Sequence, residues 1–346
     1  MQGPGSSRRE TTIEPPGPDQ LLASLGVRRI PVPVPFAEAG GPANIYVIDE
    51  DGGGVALFDA GIGTREGRDA IHEGFAALGL SLGDVRRIFI SHGHLDHYGY
   101  ARAVQEASGA PVHAHARDHD KLTGRERTAG RLERYSAYLA RLGAPGELLE
   151  HVRIHWQDTL RMARPLQEVL PLSEGDRLHF ARFDAEVLHL PGHTPGLVGL
   201  WAPKPRVFFS DDHLLERVSP NPLLDLEGNL EPTHRALCAY VRSAKRVREL
   251  PIGLVAPGHA LPFEGHVQLI DRLLGFYDKR QDRIVELLRS DGALTPAALS
   301  PRVFPRARSW QLYLTLSEVM GNLEVLEEAG RVSRSVREGR VVFEAV

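Results

Sequence analysis

Cysteine is almost missing from this chain of 346 residues: Cys238 is the only one. A single thiol excludes an internal disulfide framework and any cysteine-rich zinc module. Long apolar runs are missing too. No stretch approaches the roughly 18 uninterrupted apolar residues of a spanning helix, and the amino terminus carries no hydrophobic signal core. Those absences argue against an integral membrane protein and against secretion, and they leave the cytoplasm as the expected compartment. Nor is there an excess of positive charge. The 41 basic and 45 acidic residues give a net charge of −4, so no generally basic nucleic-acid surface is expected. What remains is ordinary globular composition, 42% hydrophobic and 25% charged, in a chain long enough for one large domain or two. Histidine is the exception, with 16 residues against the lone cysteine. A transition metal held by this chain would therefore be held by imidazole and carboxylate.

Residues 1–20 are rich in Gly, Pro, Ser and charge and read as a disordered tail. Strands are predicted over 29–34, 44–48 and 55–58, a helix over 65–78, and a strand over 85–90 that runs into Ser91-His92. A short helix over 99–107 and a strand over 111–114 follow. From about 117 to 170 the β-branched runs stop, and Tyr135, Tyr138, Leu139 and Leu142 fall at helical spacing, so this stretch reads as a helical insertion. Strands resume at 177–183, 186–190, 197–201, 206–209 and 253–256, with a helix over 232–249. From Gly265 the pattern becomes helix over 267–289, helix over 312–329, then a hairpin turning at Glu338-Gly339. This predicts a catalytic domain over 21–264 and a winged-helix-like domain over 265–346.

The segment that carries chemistry is Ser91-His92-Gly93-His94-Leu95-Asp96-His97, on a strand-to-helix loop. Residues two apart on extended chain share a face, so His92 and His94 can bind one ion together. Asp96 and His97 lie where the chain turns and can address a second position. Neutral imidazole suits zinc, and a carboxylate adds charge while staying deprotonated. Three later residues repeat the device of a ligand at a strand end: His193 in Pro191-Gly192-His193, Asp212 in Ser210-Asp211-Asp212, and His259 in Pro257-Gly258-His259.

Over about 21–263 the chain resembles the metallo-β-lactamase-fold hydrolases of the HxHxDH, glyoxalase II-like type, and the motifs occur in that family's order. The resemblance implies an α+β fold, a four-layer αββα sandwich, here with the insertion and the winged-helix-like tail. It also implies two Zn2+ per chain. His92, His94 and His193 would bind one, Asp96, His97 and His259 the other, and Asp212 would bridge them. Asp59 matches an outer aspartate that orients a ligand imidazole. The family has Gly before the bridging aspartate where this chain has Asp211; the spacing from Phe209 and the following His213-Leu214-Leu215 favour Asp212. Two ions acidify a bridging water to hydroxide near neutral pH, with Asp96 as the catalytic group that orients it and receives its proton. This ligand set also accommodates Fe or Mn. Cys238, among Ala236, Leu237 and Ala239 in mid-helix, reads as core rather than ligand, which disfavours β-lactam hydrolysis.

Tyr135, Tyr138, Trp156 and Met162 are candidates to wall an apolar channel over the metals, with His213 also facing the pocket. His113 and His115 share one face of their strand, as packing residues or pocket residues. The expected substrate is a small-molecule ester, thioester or lactone. The alternative is a nuclease cleaving RNA through the winged-helix-like domain. Its tail carries 12 basic and 11 acidic residues, a weak basis for counterion release, although Arg331, Arg334, Arg337 and Arg340 cluster on the hairpin. A catalytically silent metal scaffold is a third reading, opposed by the seven intact ligands. A homodimer is compatible with all three.

Overall fold

A computed structural model describes residues 17–125, 129–159, 161–224, 234–308 and 311–346. Helix α1 (Pro18–Ser24) opens it. This helix overlaps the end of the stretch expected to be a disordered tail, and its Leu22 is buried in the core; residues 1–16 of that expectation lie outside the described residues. The first sheet holds β1 (Val27–Val32), β2 (Ala43–Asp49), β3 (Val55–Phe58), β4 (Val85–Phe89), β5 (Val112–Ala114) and β6 (Leu170–Pro171), in that spatial order. Its first three strands are antiparallel, and β3 to β6 run parallel. The parallel crossovers are α2 (Arg65–Ala77), then α3 (Leu95–Tyr98) with α4 (Ala101–Ser108). Helix α2 starts where the Thr64 hydroxyl accepts from Gly67 N at 3.1 Å, a cap for one of the helix's unpaired amides.

The insertion carries α5 (His119–Leu122), α6 (Ala129–Arg141) and α7 (Gly146–Thr159). The second sheet follows, with β7 (Arg177–His179), β8 (Asp184–His189), β9 (Val198–Ala202), β10 (Val207–Asp211) and β11 (Leu254–Pro257). Its spatial order is β11-β10-β9-β8-β7, and only the β10–β11 pair is parallel. Helix α8 (Ala236–Arg248) makes that crossover. The chain ends in α9 (His266–Asp291), α10 (Pro296–Val303), α11 (Gln311–Glu328) and the hairpin β12 (Val332–Arg337)–β13 (Arg340–Ala345).

Three cores define the four layers. Tyr46, Phe58 and Phe89 of the first sheet meet Val187, Leu200 and Phe209 of the second, with the Tyr46 and Phe209 rings edge-on at 5.2 Å. Ile71, Phe75 and Val104 cover the outer face of the first sheet, and Leu237, Tyr240 and Ile270 cover that of the second. Strands β3, β9 and β10 are buried at every residue, as central strands covered on both faces must be.

A fourth core joins the insertion to the carboxyl-terminal region. Tyr138, Leu139 and Leu148 pack with Ile284, Leu316 and Phe343. The tail has three helices and a hairpin in series, but its buried face is completed by the insertion, and the first half of α9 belongs to the second sheet's outer layer. Helix α10, with the Thr295 hydroxyl capping Ala298 N at 3.2 Å, has no counterpart among the elements predicted from sequence. Among the described residues no helix is long and apolar enough to cross a membrane.

Candidate metal centre

Five strand ends converge on one edge of the sandwich. β3 ends at Asp59, β4 leads to His92 and His94 and into α3 with Asp96 and His97, β8 leads to His193, β10 to Asp212 and β11 to His259. Three of these ends hold non-glycine residues at positive φ: Asp59 at 63°, Asp211 at 48° and Ala260 at 64°. Each such conformation costs about 1–3 kcal/mol and persists only where surrounding packing enforces it.

His92 Nε2 and His193 Nε2 both lie 2.9 Å from His94 Nδ1. The opposite side of each ring is already engaged. His193 Nδ1 donates to the Asn221 carbonyl at 3.0 Å and His259 Nδ1 to the Gly41 carbonyl at 3.1 Å. A carbonyl can only accept, so in the neutral ring that metal ligation requires, Nδ1 carries the proton and Nε2 is the lone-pair atom, directed inward. His97 Nδ1 donates to Asp59 Oδ2 at 2.9 Å, and Asp59 also accepts from Ser91 N and Ser91 Oγ at 2.8 and 2.9 Å.

Asp212 stands between two groups. Its Oδ2 is 3.3 Å from His193 Nε2 and 3.9 Å from His92 Nε2, and 3.6 Å from His97 Nε2. Its Oδ1 is 3.6 Å from His259 Nε2. Asp96 completes the second group, with Oδ2 3.4 Å from His259 Nε2 and Oδ1 3.8 Å from His97 Nε2. The sets His92–His94–His193–Asp212 and Asp96–His97–His259 each bring donor atoms close enough to hold one ion. Two of these atoms, His97 Nε2 and Asp212 Oδ1, are buried without a hydrogen-bond partner. Convergent lone pairs and orphaned buried acceptors fit a cation and are costly without one.

Asp211 is separated from Asp212 by the direction it faces. Its Oδ1 lies 3.1 Å from His92 Nδ1 and its Oδ2 3.4 Å from His97 Nδ1, behind the rings. Asp211 Oδ1 also accepts from Asp212 N at 2.8 Å. Burial, and then the neighbouring Asp211, push the Asp59 carboxyl well above the usual carboxylate range. Burial opposes the charge on Asp211, but His97 and hydrogen bonds from Asp59 and His92 hold it well below that range. Asp212 is likewise held low against burial by His259, His97 and His193. Burial, followed by the neighbouring imidazoles, lowers His92 and His94, keeping them neutral as ligation requires. His97 is raised against burial by Asp211, Asp212 and Asp96, a local surplus of negative charge that a bound cation would neutralise.

Sequence reading missed Asp118. It is fully buried and accepts from Gly93 N at 2.8 Å, Thr194 Oγ1 at 2.9 Å and Gly196 N at 3.1 Å. One carboxylate thereby ties the His92–His97 loop to the His193 loop. Its only signal was its place just past β5, at the mouth of the insertion.

A cavity of about 400 Å³ opens above the centre, with His94, Asp96, His193, Asp212 and His259 at its floor. Tyr135 and Trp156 line it. Three other expected pocket residues do not, and these are corrections. Tyr138 is wholly buried in the core shared by the insertion and the tail. Met162 packs against the first sheet's outer core, and its carbonyl accepts from Gly63 N at 2.9 Å. His213 is turned inward, its ring 5.3 Å from that of Tyr240, and burial lowers its pKa to about 3. His113 packs on the Phe89 ring at 5.3 Å, and His115 stacks on His189 at 3.9 Å. Tyr313 and Leu314 of α11 also line the cavity, and no local pattern in the sequence marks them. Cys238 is buried in α8, its thiol pushed up to about 12, chiefly by burial.

Comparison with known proteins agrees with this architecture. The probable metallo-hydrolase YqjP of Bacillus subtilis (strain 168) is 27% identical over 332 residues, spanning 93% of this chain and 98% of that protein. The crystal structure of a metallo-beta-lactamase family protein from Thermus thermophilus is 30% identical and superposes with a TM-score of 0.78, over 93% of this chain and 99% of that one. A shorter match, 27% identical over 133 residues, joins 38% of this chain to 51% of the hydroxyacylglutathione hydrolase GloC of Haemophilus influenzae. The family model of the metallo-beta-lactamase superfamily matches residues 39–259, from just before β2 to the last histidine of the centre. The chain belongs to the metallo-beta-lactamase superfamily.

Proposed function

We propose that this protein is a dinuclear zinc hydrolase acting on an ester, thioester or lactone of a small molecule. Family membership makes it a metal-dependent hydrolase; the two-ion centre, the metal and the bond cleaved are the further reading. The observation that carries it is Asp212, whose carboxylate lies within 3.6 Å of donors from both groups, Oδ2 at 3.3 Å from His193 Nε2 and 3.6 Å from His97 Nε2, and Oδ1 at 3.6 Å from His259 Nε2. In this reading His92, His94 and His193 hold one ion, Asp96, His97 and His259 the other, and Asp212 contacts both. Ions held there supply Lewis acidity to the scissile carbonyl and lower the pKa of water. Asp96 lines the cavity, and in this reading it orients the attacking water and takes its proton. Asp59 and Asp211 hold the His97 and His92 rings from behind, and Asp118 keeps the two histidine loops in register.

The donor set contains no thiolate, which suits zinc and also iron or manganese. The partial likeness to a hydroxyacylglutathione hydrolase supports acyl rather than phosphodiester chemistry. So does the hairpin, where Arg331 pairs with Asp282 at 2.8 Å and Arg337 with Glu344 at 2.7 Å, engaging two of the four arginines that RNA would need. A cytoplasmic setting and a small-molecule partner belong to the same proposal.

The test is metal analysis of the purified protein, followed by assays on an acyl thioester, a lactone and single-stranded RNA, with and without chelator. About two ions per chain and chelator-sensitive ester hydrolysis are expected, with Asp212→Ala losing about 10³-fold or more in kcat. Full ester hydrolysis after complete metal removal, or salt-sensitive RNA cleavage alone, would overturn the reading.

A further inference from the structure

The cavity changes character with distance from its floor. Beyond the five polar residues of the centre, most of its lining is apolar, with Leu132 of α6, Val152 and Trp156 of α7, Leu223 beyond β10, and Leu314 of α11, interspersed with Glu38, Arg131 and Thr159. The two wall tyrosines present their rings and not their hydroxyls. Tyr135 OH donates to the Leu224 carbonyl at 3.0 Å, the Tyr313 hydroxyl reaches the same carbonyl at 3.3 Å, and the two hydroxyls also contact each other. Their polar ends are thus taken up by backbone and by one another. On the floor side, the Lys121 stem lies against Gly93, beside His94, and Lys121 lines the cavity there. About 400 Å³ lies within the roughly 300–1,000 Å³ typical of small-molecule sites. An apolar chain finds more contact on such a lining than a sugar or a nucleotide would, since each polar group set against Leu132, Val152, Trp156, Leu223 or Leu314 without a partner costs binding energy.

We propose that the cavity takes the acyl half of the substrate, an apolar chain of medium length, with its carbonyl at the floor. This rests on the hydrolase reading and names its substrate class. The acyl carbon–oxygen or carbon–sulfur bond breaks, the oxygen of water forms the new bond to the acyl carbon, one proton of that water passes to the departing alcohol or thiol, and the other is released to solvent as the acid product ionises. The carboxylate product is left beside Lys121 with its chain between α7 and α11.

The experiment has two arms. In the first, p-nitrophenyl esters from acetyl to decanoyl are assayed on metal-reconstituted enzyme. The expected kcat/KM rises roughly two- to fourfold per methylene until the cavity is filled. Val152→Trp, which fills the wall, lowers the octanoyl-to-acetyl ratio about tenfold or more by burying fewer methylenes. Trp156→Ala, which enlarges the cavity, moves the optimum to longer chains and serves if the tryptophan variant fails to fold. In the second arm, octanoate and butyrate are titrated calorimetrically into metal-free protein. Octanoate is expected to bind about tenfold tighter or more, with the difference reduced by Val152→Trp.

Metal-dependent turnover that is flat across chain lengths overturns the acyl-chain proposal and leaves the hydrolase reading standing. Unchanged ratios in both folded variants also overturn it. Absence of all ester cleavage with every metal defeats the hydrolase reading on its own. In that case the titration decides the occupant: length-dependent binding retains an apolar chain, and equal binding rejects it.

Discussion

The centre and the wall of its cavity are built by opposite rules. At the centre, side chains are delivered by strand ends, locked by hydrogen bonds at their far atoms, and held in some places by strained backbone. The wall is made from helices of the insertion and of the carboxyl-terminal region, fixed by apolar packing around Tyr138, Leu316 and Phe343. Directional bonds set the position of a donor atom within tenths of an ångström. Apolar packing fixes volume and shape but tolerates exchange of similar side chains. Exchange of wall residues can therefore reshape the cavity without moving the donor atoms of the centre, because the two are fixed by different interactions.

The comparison breaks most severely at Asp118, where insertion and centre touch. Asp118→Ala leaves the amides of Gly93 and Gly196 and the Thr194 hydroxyl without their acceptor. The expected loss is roughly 3–6 kcal/mol of stability and about 10–100-fold in metal affinity, read by denaturant unfolding and competitive chelation. Leu316→Ala acts on the wall alone. It should cost about 2–5 kcal/mol in the packed core while metal content stays at the wild-type level. A loss of metal in that variant would mean that the two cores are coupled.

Charge sharpens the contrast further. Asp212 is held ionised by its imidazole neighbours, whereas burial pushes Glu324 of α11 up to about 8 against the pull of Arg235 and Arg334, with Glu327 and Glu328 adding to the rise. A carboxyl whose folded pKa exceeds its unfolded value holds an extra proton in the native state across the interval between them. Stability from Glu324 is therefore fully present below the unfolded value and falls as pH rises toward about 8, by about 1.4 kcal/mol per pH unit at most. Glu324→Gln should flatten that slope in urea titrations between pH 5.5 and 8.5; an unaltered slope would assign the pH dependence elsewhere. The smallest effect belongs to the exposed Arg337–Glu344 pair on the hairpin, where Arg337→Ala should change unfolding free energy by less than about 1 kcal/mol.

This division also explains what the sequence makes legible. Strands β3, β4, β10 and β11 and the residues just beyond them are visible because a short stretch rich in apolar residues followed by Gly, Pro, Asp or His is a local pattern. The ligand residues stand out for the same reason. Asp118 is invisible because its partners are 25 to 78 positions away, and a lone aspartate after a strand has no periodicity. The wall is only half legible. Tyr135 and Tyr138 lie on one helix, three residues apart, and the sequence cannot say which of them turns to the cavity. That is settled by α11, since Tyr135 meets Tyr313 across 178 positions while Tyr138 sinks beneath it. The helix α1 escapes notice because a short segment after a Gly- and Pro-rich stretch carries too few apolar positions to show a period.

The core shared by the insertion and the tail also sets an order on biosynthesis. Leu139 packs in one cluster with Leu316, yet 177 residues separate them in the chain. At about 5–20 residues per second, the nascent insertion waits roughly 10–35 s before its lasting partner is translated. During that interval its leucines are available to chaperones. A ribosome stalled before α11 would release a chain with all seven candidate ligands but without the surface that closes over them.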